Sequence, residues 1–248
     1  MATVPLRRPR RSPWNDFPDV LIVADETAVK RHGEYGQAKA GNVNEAAAAA
    51  KRLAADFVTS NSLQEIRKLP MEGAALVPVH ALETGGLNRI PGAFAELLSE
   101  KLGLEVEMSI IQANIVNHTG ASGWERLARP PLFSGNVVGN KPYVLVDDFV
   151  GQGGTLANLR GYIRSKGGLV RGAVTLTGRP YSAKLALQPG TLDGLRAKHG
   201  REIETWWRDR IGYGFECLTE SEARYLVRAE DADTIRAKLS AAGFAGHD

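Results

Sequence analysis

The sequence predicts an α/β fold, in which helices flank a mostly parallel sheet and a helical part follows at the C-terminal end. Up to residue 178, short apolar runs typical of buried strands alternate with segments of helical periodicity. After residue 178, only helical patterns follow. Alternating strands and helices are typical of parallel sheets covered on both faces, and ligands bind such sheets at the carboxyl ends of the strands.

The predicted strands are apolar runs of strand length or segments with a two-residue alternation. Residues 20–24 form a short apolar run that suits a sheet edge, and residues 104–111 alternate through Val106, Met108 and Ile110. The other predicted strands cover residues 74–79, 143–146 and 169–176.

Three helices are predicted between these strands, at residues 44–58, 91–102 and 156–166. Pro91 suits the first helical position, and Gly103 suits the end of the same helix. Thr219 and Glu222 have the spacing of a capping box, in which each side chain binds the backbone N–H of the other residue. The C-terminal helices are expected at residues 191–199, 202–210, 220–228 and 231–242.

The chain has 31 basic and 28 acidic side chains, and the positive excess is local. Arg7, Arg8, Arg10 and Arg11 lie in one Pro-containing segment, and without them 27 basic residues face 28 acidic ones. Since a short basic tail is usually a solvated end, nucleic-acid binding is not expected. We predict three parts: a flexible basic arm at residues 1–18, an α/β core at residues 19–178 and a helical part at residues 179–248.

The sequence gives no indication of membrane association. No apolar run approaches the length of a membrane-spanning helix, and the N-terminus lacks the apolar segment of a secretory signal. The single cysteine, Cys217, cannot form an internal disulfide. We therefore expect no membrane partner and a cytoplasmic location.

Residues 143–168 carry the side chains best suited to chemistry. A buried strand delivers Asp147 and Asp148 to its exit, a glycine-rich turn follows, and a helix begins at once. Glycines let the backbone curl so that several N–H groups point inward, and the helix start adds a positive dipole end. Such a nest binds phosphate, and Thr155 either offers it a hydroxyl or caps the helix. Two acids beside the nest suit a ligand with hydroxyl groups or a metal near its phosphate.

Other phosphate-binding motifs fit this turn less well. The nucleoside-triphosphate P-loop needs Gly-Lys-Ser/Thr, and the turn contains no lysine. The dinucleotide fingerprint needs a third glycine where Leu156 stands. A plain strand-to-helix turn is the alternative, although such a turn has no need of paired acids at a strand end.

The letters VLVDDFVGQGGT, which run from Val144 to Thr155, resemble the phosphoribosyl pyrophosphate motif of type I phosphoribosyltransferases. The resemblance is strong over residues 143–168, and the order of elements is compatible with that family from residue 74 to residue 178. It implies that Asp147 and Asp148 hold the ribose hydroxyls as catalytic residues. It also implies that the 5-phosphate is bound by Gly151, Gln152, Gly153, Gly154 and Thr155. The family often has Thr or Ser early in this loop, where the present chain has glycine and glutamine.

The resemblance implies further substrate-binding elements. Gly86, through its backbone amide, and Arg89 follow the strand at residues 74–79 and are expected to bind pyrophosphate. A solvated charge at the helix start is the alternative role of Arg89. Residues 112–135 stand where the family has a mobile loop, and Arg126 is expected to cover pyrophosphate when that loop closes. The C-terminal helices would form the hood that receives the acceptor.

The implied reaction transfers ribose 5-phosphate from phosphoribosyl pyrophosphate to a nitrogenous base or related acceptor and releases pyrophosphate. Mg²⁺ is the implied cofactor, held mainly by substrate oxygens and water, and no metal-binding residue of the chain is assigned. The expected partners are the sugar phosphate, a small-molecule acceptor and a second copy of the chain in a homodimer. The alternative is a catalytically silent regulator that still binds phosphoribosyl pyrophosphate.

Overall fold

A computed structural model of the chain describes residues 8–40, 43–80, 82–83, 86–114, 116 and 121–244. Its centre is a five-stranded sheet in which all neighbouring strands are parallel, which confirms the predicted α/β class. In spatial order the strands are β1 (Leu21–Ala24), β9 (Leu169–Gly178), β8 (Pro142–Val150), β2 (Ala75–Pro78) and β5 (Glu105–Val106). Two short antiparallel pairs lie outside the sheet: β3 (Leu82–Glu83) with β4 (Gly86–Leu87), and β6 (Ile111–Gln112) with β7 (Phe133–Ser134).

Helices surround the sheet and make up most of the C-terminal part. In chain order, those of the described residues are α1 (Glu26–Arg31), α2 (Tyr35–Ala40), α3 (Val43–Phe57), α4 (Ser60–Ile66), α5 (Ile90–Leu102), α6 (Gly123–Ala128), α7 (Gly154–Ser165), α8 (Pro189–Ile211), α9 (Glu220–Val227) and α10 (Ala232–Leu239). Among the residues that the structure describes, no helix is both long and apolar enough to cross a membrane.

Both faces of the sheet are buried, because successive side chains of a strand point to opposite sides. Val144 and Val146 of β8 pack in one core with α3 and α5, whereas Tyr143 and Leu145 pack in another core with α7. This two-sided burial explains why β8 reads as a continuous apolar run rather than as an alternation. A third core joins α8, α9 and α10 to α6.

Residues 11–17 pack against the α7 side of the sheet, unlike the solvated arm expected for them. Trp14 and Phe17 are buried in the same core as Leu159 and Ile163 of α7. The guanidinium of Arg160 donates hydrogen bonds to the carbonyl oxygens of Ser12, Pro13 and Trp14. We call residues 10–17 the N-terminal strap.

Two sequence predictions are wrong in their bounds. The strand expected at residues 104–111 is limited to Glu105–Val106, and Met108 is exposed. The segment 112–135, expected to be irregular, contains α6 and β7, and a capping box between Ser122 and Glu125 begins α6. The two helices expected at residues 191–199 and 202–210 are confirmed, because α8 is divided at Gly200, whose φ of 79° and ψ of 173° are not helical.

Candidate functional site

The paired acids lie at the carboxyl edge of the sheet but inside a strand. β8 continues to Val150, so the prediction that the strand ends before the acids is wrong. β2 ends at Pro78, which pairs with Val146, so β8 continues for four residues beyond the end of β2. The last hydrogen bond between the two chain segments runs from the Val79 amide to the Val146 carbonyl and is 2.8 Å long. Asp147 still pairs with Thr175 of β9 on the other side. The acids therefore stand where β8 projects beyond β2, open to a ligand on that side.

Two side chains from other elements hold the second acid. The Asp148 carboxylate accepts a hydrogen bond from the Asn88 amide at 2.9 Å and an ion-pair contact from the Lys39 ammonium at 3.3 Å. The Asp148 backbone N–H donates to the Asp147 carboxylate at 2.8 Å. The pair is thus fixed by contacts from α2, from Asn88, which lies two residues before α5, and from its own strand.

The pKa of Asp147, the first acid of the pair, is raised. Burial of the Asp147 carboxyl and the charge of the adjacent Asp148 raise its pKa well above the usual range, and Lys39 offsets only part of this. Removing water from a carboxylate disfavours its charged form, and a second carboxylate adds repulsion. A ligand that brings hydroxyl donors or positive charge to this pair relieves both effects.

A three-residue turn, Gly151 to Gly153, connects the end of β8 to helix α7. Gly153 is the N-cap of α7 and has φ of 78°, and a Cβ there would overlap the Leu185 side chain. Because Gly153 occupies the N-cap, Thr155 lies in the first turn and does not cap the helix. The first N–H groups of a helix have no carbonyl partner within it, so this turn presents donors to a phosphate.

A buried ion pair, Arg11 with Glu222, packs against the glycine-rich turn. Arg11 of the N-terminal strap contacts both carboxylate oxygens of Glu222 at 2.5 and 2.9 Å, and also donates to the Asn158 side chain at 2.6 Å. A Cβ on Gly154 would lie 2.7 Å from the Glu222 carboxylate, so this acid is close to the glycine-rich turn. Arg11 therefore neutralises a negative charge that would otherwise oppose an anion there.

A cavity of about 410 Å³ brings most of the predicted site together. We call it the acidic cavity, because Asp147 and Asp148 form its floor. Arg126 lines it, together with Lys30, Lys39 and Asn88. The predicted loop residues Gly151, Gln152, Gly153, Gly154 and Thr155 all line it as well.

Two predicted residues do not line this cavity. Arg89 is the N-cap of α5 and makes no side-chain cap, while its neighbour Asn88 reaches Asp148 instead. Gly86 lies in β4, opposite Glu83. Thr84, Gly85 and His118 lie outside the described residues. The pyrophosphate-binding role of Gly86 and Arg89 stays a prediction.

Sequence reasoning missed several residues of the site. Asn88 was detectable, since it lies in the segment already singled out after β2. Glu222 was identified only as a capping residue, which it is, because its carboxylate accepts from the Thr219 amide at 2.9 Å. Lys39 has no sequence signal, because the position of α2 over the carboxyl edge is a tertiary property.

A second cavity of about 520 Å³ adjoins the first over the ends of β1 and β9. We call it the arginine cavity. It shares Lys30, Arg126, Phe149, Gly151 and Gln152 with the acidic cavity. Its own lining includes Arg179, Tyr181, Arg224, Tyr225 and Arg228.

Comparison with known proteins gives relatives of undefined activity. No protein-family model matches the chain. It is 38% identical to protein TraN of Escherichia coli over 236 residues, which cover 95% of the chain and 52% of TraN. It is 43% identical to an uncharacterized protein of Haemophilus influenzae over 155 residues, which cover 62% of the chain and 34% of that protein. The chain thus spans about half of the first relative's length and a third of the second's.

Among solved structures, Leishmania donovani UMP synthase is similar to the chain at 14% identity. The likeness covers 73% of the chain and 33% of that enzyme, with a TM-score of 0.35. A score this low does not establish a shared fold.

Proposed function

We propose that the chain binds phosphoribosyl pyrophosphate in the acidic cavity and transfers its ribose 5-phosphate to a nitrogenous acceptor. One observation carries this proposal: two carboxylates and a glycine-rich helix start line the same cavity. The spacing suits a ligand with a phosphate at one end and hydroxyl groups a few atoms away. The motif's resemblance to type I phosphoribosyltransferases supports the same reading.

The chain's own residues suit an electrostatic mechanism. The turn and the start of α7 bind the 5-phosphate, while Asp147 and Asp148 accept hydrogen bonds from the ribose hydroxyls. As the bond to pyrophosphate breaks, positive charge grows on the ribose ring, and these carboxylates stabilise it. Arg126 and Lys39, which also line the cavity, are placed to contact the leaving group. The acceptor nitrogen then forms the new bond at the same carbon, so no protein nucleophile is required.

The residues present are compatible with Mg²⁺ bound through the substrate. The described residues contain no group of three or more His, Cys, Asp or Glu side chains arranged around a metal. Two carboxylates are available in the cavity, and Mg²⁺ typically takes one or two carboxylates together with phosphate oxygens and water. The ion would neutralise charge on the pyrophosphate group. We include a helical C-terminal hood over the acceptor and a cytoplasmic homodimer in this proposal.

Binding and turnover test the proposal separately. Phosphoribosyl pyrophosphate with Mg²⁺ should raise the melting temperature, because a ligand that binds only the native state stabilises it. Incubation with a panel of bases should then release pyrophosphate. Folded protein that shows no thermal shift at millimolar ligand would remove the central claim.

Substitution of the acids tests the site. Asp148→Asn should weaken binding of the donor about ten- to hundredfold, because a charged hydrogen bond contributes about 1.5–3 kcal/mol. Asp147→Asn should lower turnover by a similar factor. Asp193→Asn, on the exposed face of α8, is the matched control and should change neither quantity.

A silent regulator is the second candidate, favoured by one feature of the loop. Gly151 and Gln152 offer no hydroxyl, and the Gln152 side-chain oxygen is buried without a hydrogen-bond partner among the described residues. A regulator would show the thermal shift with phosphoribosyl pyrophosphate and no pyrophosphate release with any base of the panel.

A further inference from the structure

The arginine cavity has a strong excess of positive charge. Its cationic lining consists of Lys30, Arg126, Arg179, Arg224 and Arg228. Among the described residues, two carboxylates contact this group: Glu26 pairs with Lys30 and lies 3.9 Å from Arg179, and Glu220 lies 3.5 Å from Arg224. Within the described part of the chain, positive side chains therefore outnumber negative ones by five to two.

The cationic groups crowd one another. Burial and the neighbouring charge of Arg179 lower the pKa of Arg126. The Arg228 side chain is exposed and forms no hydrogen bond or ion pair within the described part of the chain, although its backbone N–H donates to the Leu226 carbonyl. Holding like charges together costs free energy, and a bound anion removes that cost.

Aromatic rings also line the cavity, and a hydrogen bond from Arg224 holds the backbone at Tyr181. Tyr181 is 55% exposed, although Arg179 donates to its hydroxyl at 2.7 Å and Arg224 donates to its carbonyl at 3.0 Å. Tyr225 packs on Trp124 with ring centroids 5.0 Å apart. An exposed ring and a half-buried one among guanidinium groups suit a flat ligand with carboxylates at its edge, since guanidinium binds carboxylate in the plane of both groups.

The cavity also lies where an acceptor must lie. It meets the acidic cavity at Phe149, Gly151 and Gln152, so a molecule bound in it approaches a sugar held by the acids. We propose that the arginine cavity binds the acceptor, and that this acceptor is a planar ring with two or more negative charges. The proposal rests on the proposed function, because it assigns the second substrate of the same reaction.

The test uses benzene-1,3-dicarboxylate as probe and benzene-1,3-dicarboxamide as its neutral isostere. Calorimetric titration of the full chain should show binding of the dicarboxylate, weakened by added salt, and binding of the diamide at least tenfold weaker. Arg179→Gln and Arg228→Gln should each weaken the dicarboxylate about tenfold, because each removes a charged hydrogen bond. Both arginines are exposed, so these variants should fold normally. Arg171→Gln, at an exposed position on β9 outside the cavity lining, is the matched control.

The outcomes separate this inference from the function on which it rests. Equal affinity for the two probes, no dicarboxylate binding at about 10 mM, or binding that both arginine variants leave unchanged would overturn it. Titration of phosphoribosyl pyrophosphate with Mg²⁺ is run in parallel. Selective dicarboxylate binding without sugar-phosphate binding would support an anion site and contradict the transferase instead.

Discussion

The raised pKa of Asp147 makes the stability of the protein depend on pH. The native state holds a proton on this carboxyl at pH values where the unfolded chain, with a pKa of about 3.9, has lost it. Since the native state binds more protons, the free energy of unfolding falls as pH rises from about 4 through the native pKa. Each unit by which the native pKa is raised costs about 1.4 kcal/mol above that range.

Asp147→Asn should therefore be more stable than the parent at neutral pH. The substitution keeps one side-chain oxygen to accept from the Asp148 amide and removes the titrating proton. Urea unfolding at a series of pH values should show no advantage near pH 4 and a growing one as pH rises. A difference that stays constant with pH would contradict the assignment. Asp193→Asn controls for the general effect of removing an acid.

Arg11 and Glu222 form an ion pair whose loss should be costly. Arg11→Met leaves the Glu222 carboxylate buried beside the glycine-rich turn without its partner. Removing one member of a buried pair costs about 3–5 kcal/mol, while replacing both members by uncharged groups is often much less costly. We expect strong destabilisation in Arg11→Met by urea unfolding and substantial recovery in the double variant with Glu222→Gln. Additive losses in the double variant would show that the pair is not coupled.

At the scale of elements, the sequence predicted best those segments in which local conformational preference and tertiary packing favour the same structure. The segment from β8 through the glycine-rich turn to α7 was predicted, because three of its properties produce recognisable sequence patterns. These are the burial of both faces of β8, the N-cap glycine and the helical periodicity of α7. The edge of the sheet was predicted poorly. Beyond Val106, no further described residue of this segment is paired in register with β2, so the alternation at Met108 forms no strand.

Short helices and long-range contacts explain the other failures. α1 buries only Val29, so its six residues carry too little periodicity to be recognised. The basic segment near Arg11 looked like a solvated tail, because its partners Asn158 and Glu222 are distant in sequence. The arginine cavity was only partly foreseeable for the same reason, since α1, α6, α9 and the end of β9 each contribute one or two of its cations.

The turn before α7 depends on glycine at one position. Gly153→Ala forces a side chain into a left-handed backbone conformation and into the Leu185 side chain. We expect a loss of about 1–3 kcal/mol in stability together with weaker binding of phosphoribosyl pyrophosphate. Gly194→Ala is the matched control, because Gly194 has open space around it on α8, where alanine favours the helix by about 1 kcal/mol. Equal thermal shifts in the two variants would show that the turn tolerates a Cβ.

At the scale of the whole molecule, the N-terminal strap joins the sheet to the C-terminal helices. The Trp14 indole donates to the Leu218 carbonyl at 2.6 Å, and Arg160 donates to three carbonyls of the strap. Deleting residues 1–17 should therefore lower the melting temperature strongly, because both Arg160 and Glu222 lose their buried partners. Arg8→Gln, which removes only an exposed hydrogen bond to the Asp209 carbonyl, should have little effect.

Addition of the missing segment provides an independent check on this prediction. A synthetic peptide of residues 8–18 should raise the melting temperature of the shortened protein in proportion to the logarithm of its concentration. A shortened protein as stable as the parent would mean that the strap contributes little to the fold.

The strap also sets the order in which a newly made chain becomes competent to bind its ligand. Arg11 leaves the ribosome early, but its partner Glu222 lies 211 positions later. At about 5–20 residues per second, roughly 10–40 s of synthesis separate the two. Contacts between residues distant in sequence form last. During that interval the sheet can therefore form before Arg11 has its ion-pair partner. Once Glu222 emerges, its charge beside the glycine-rich turn is neutralised by a residue that is already in place. A chain that stops before this point has Asp147, Asp148 and the glycine-rich turn but not the ion pair that supports them. Under the proposed function, sugar-phosphate binding should therefore begin only after translation has passed α9.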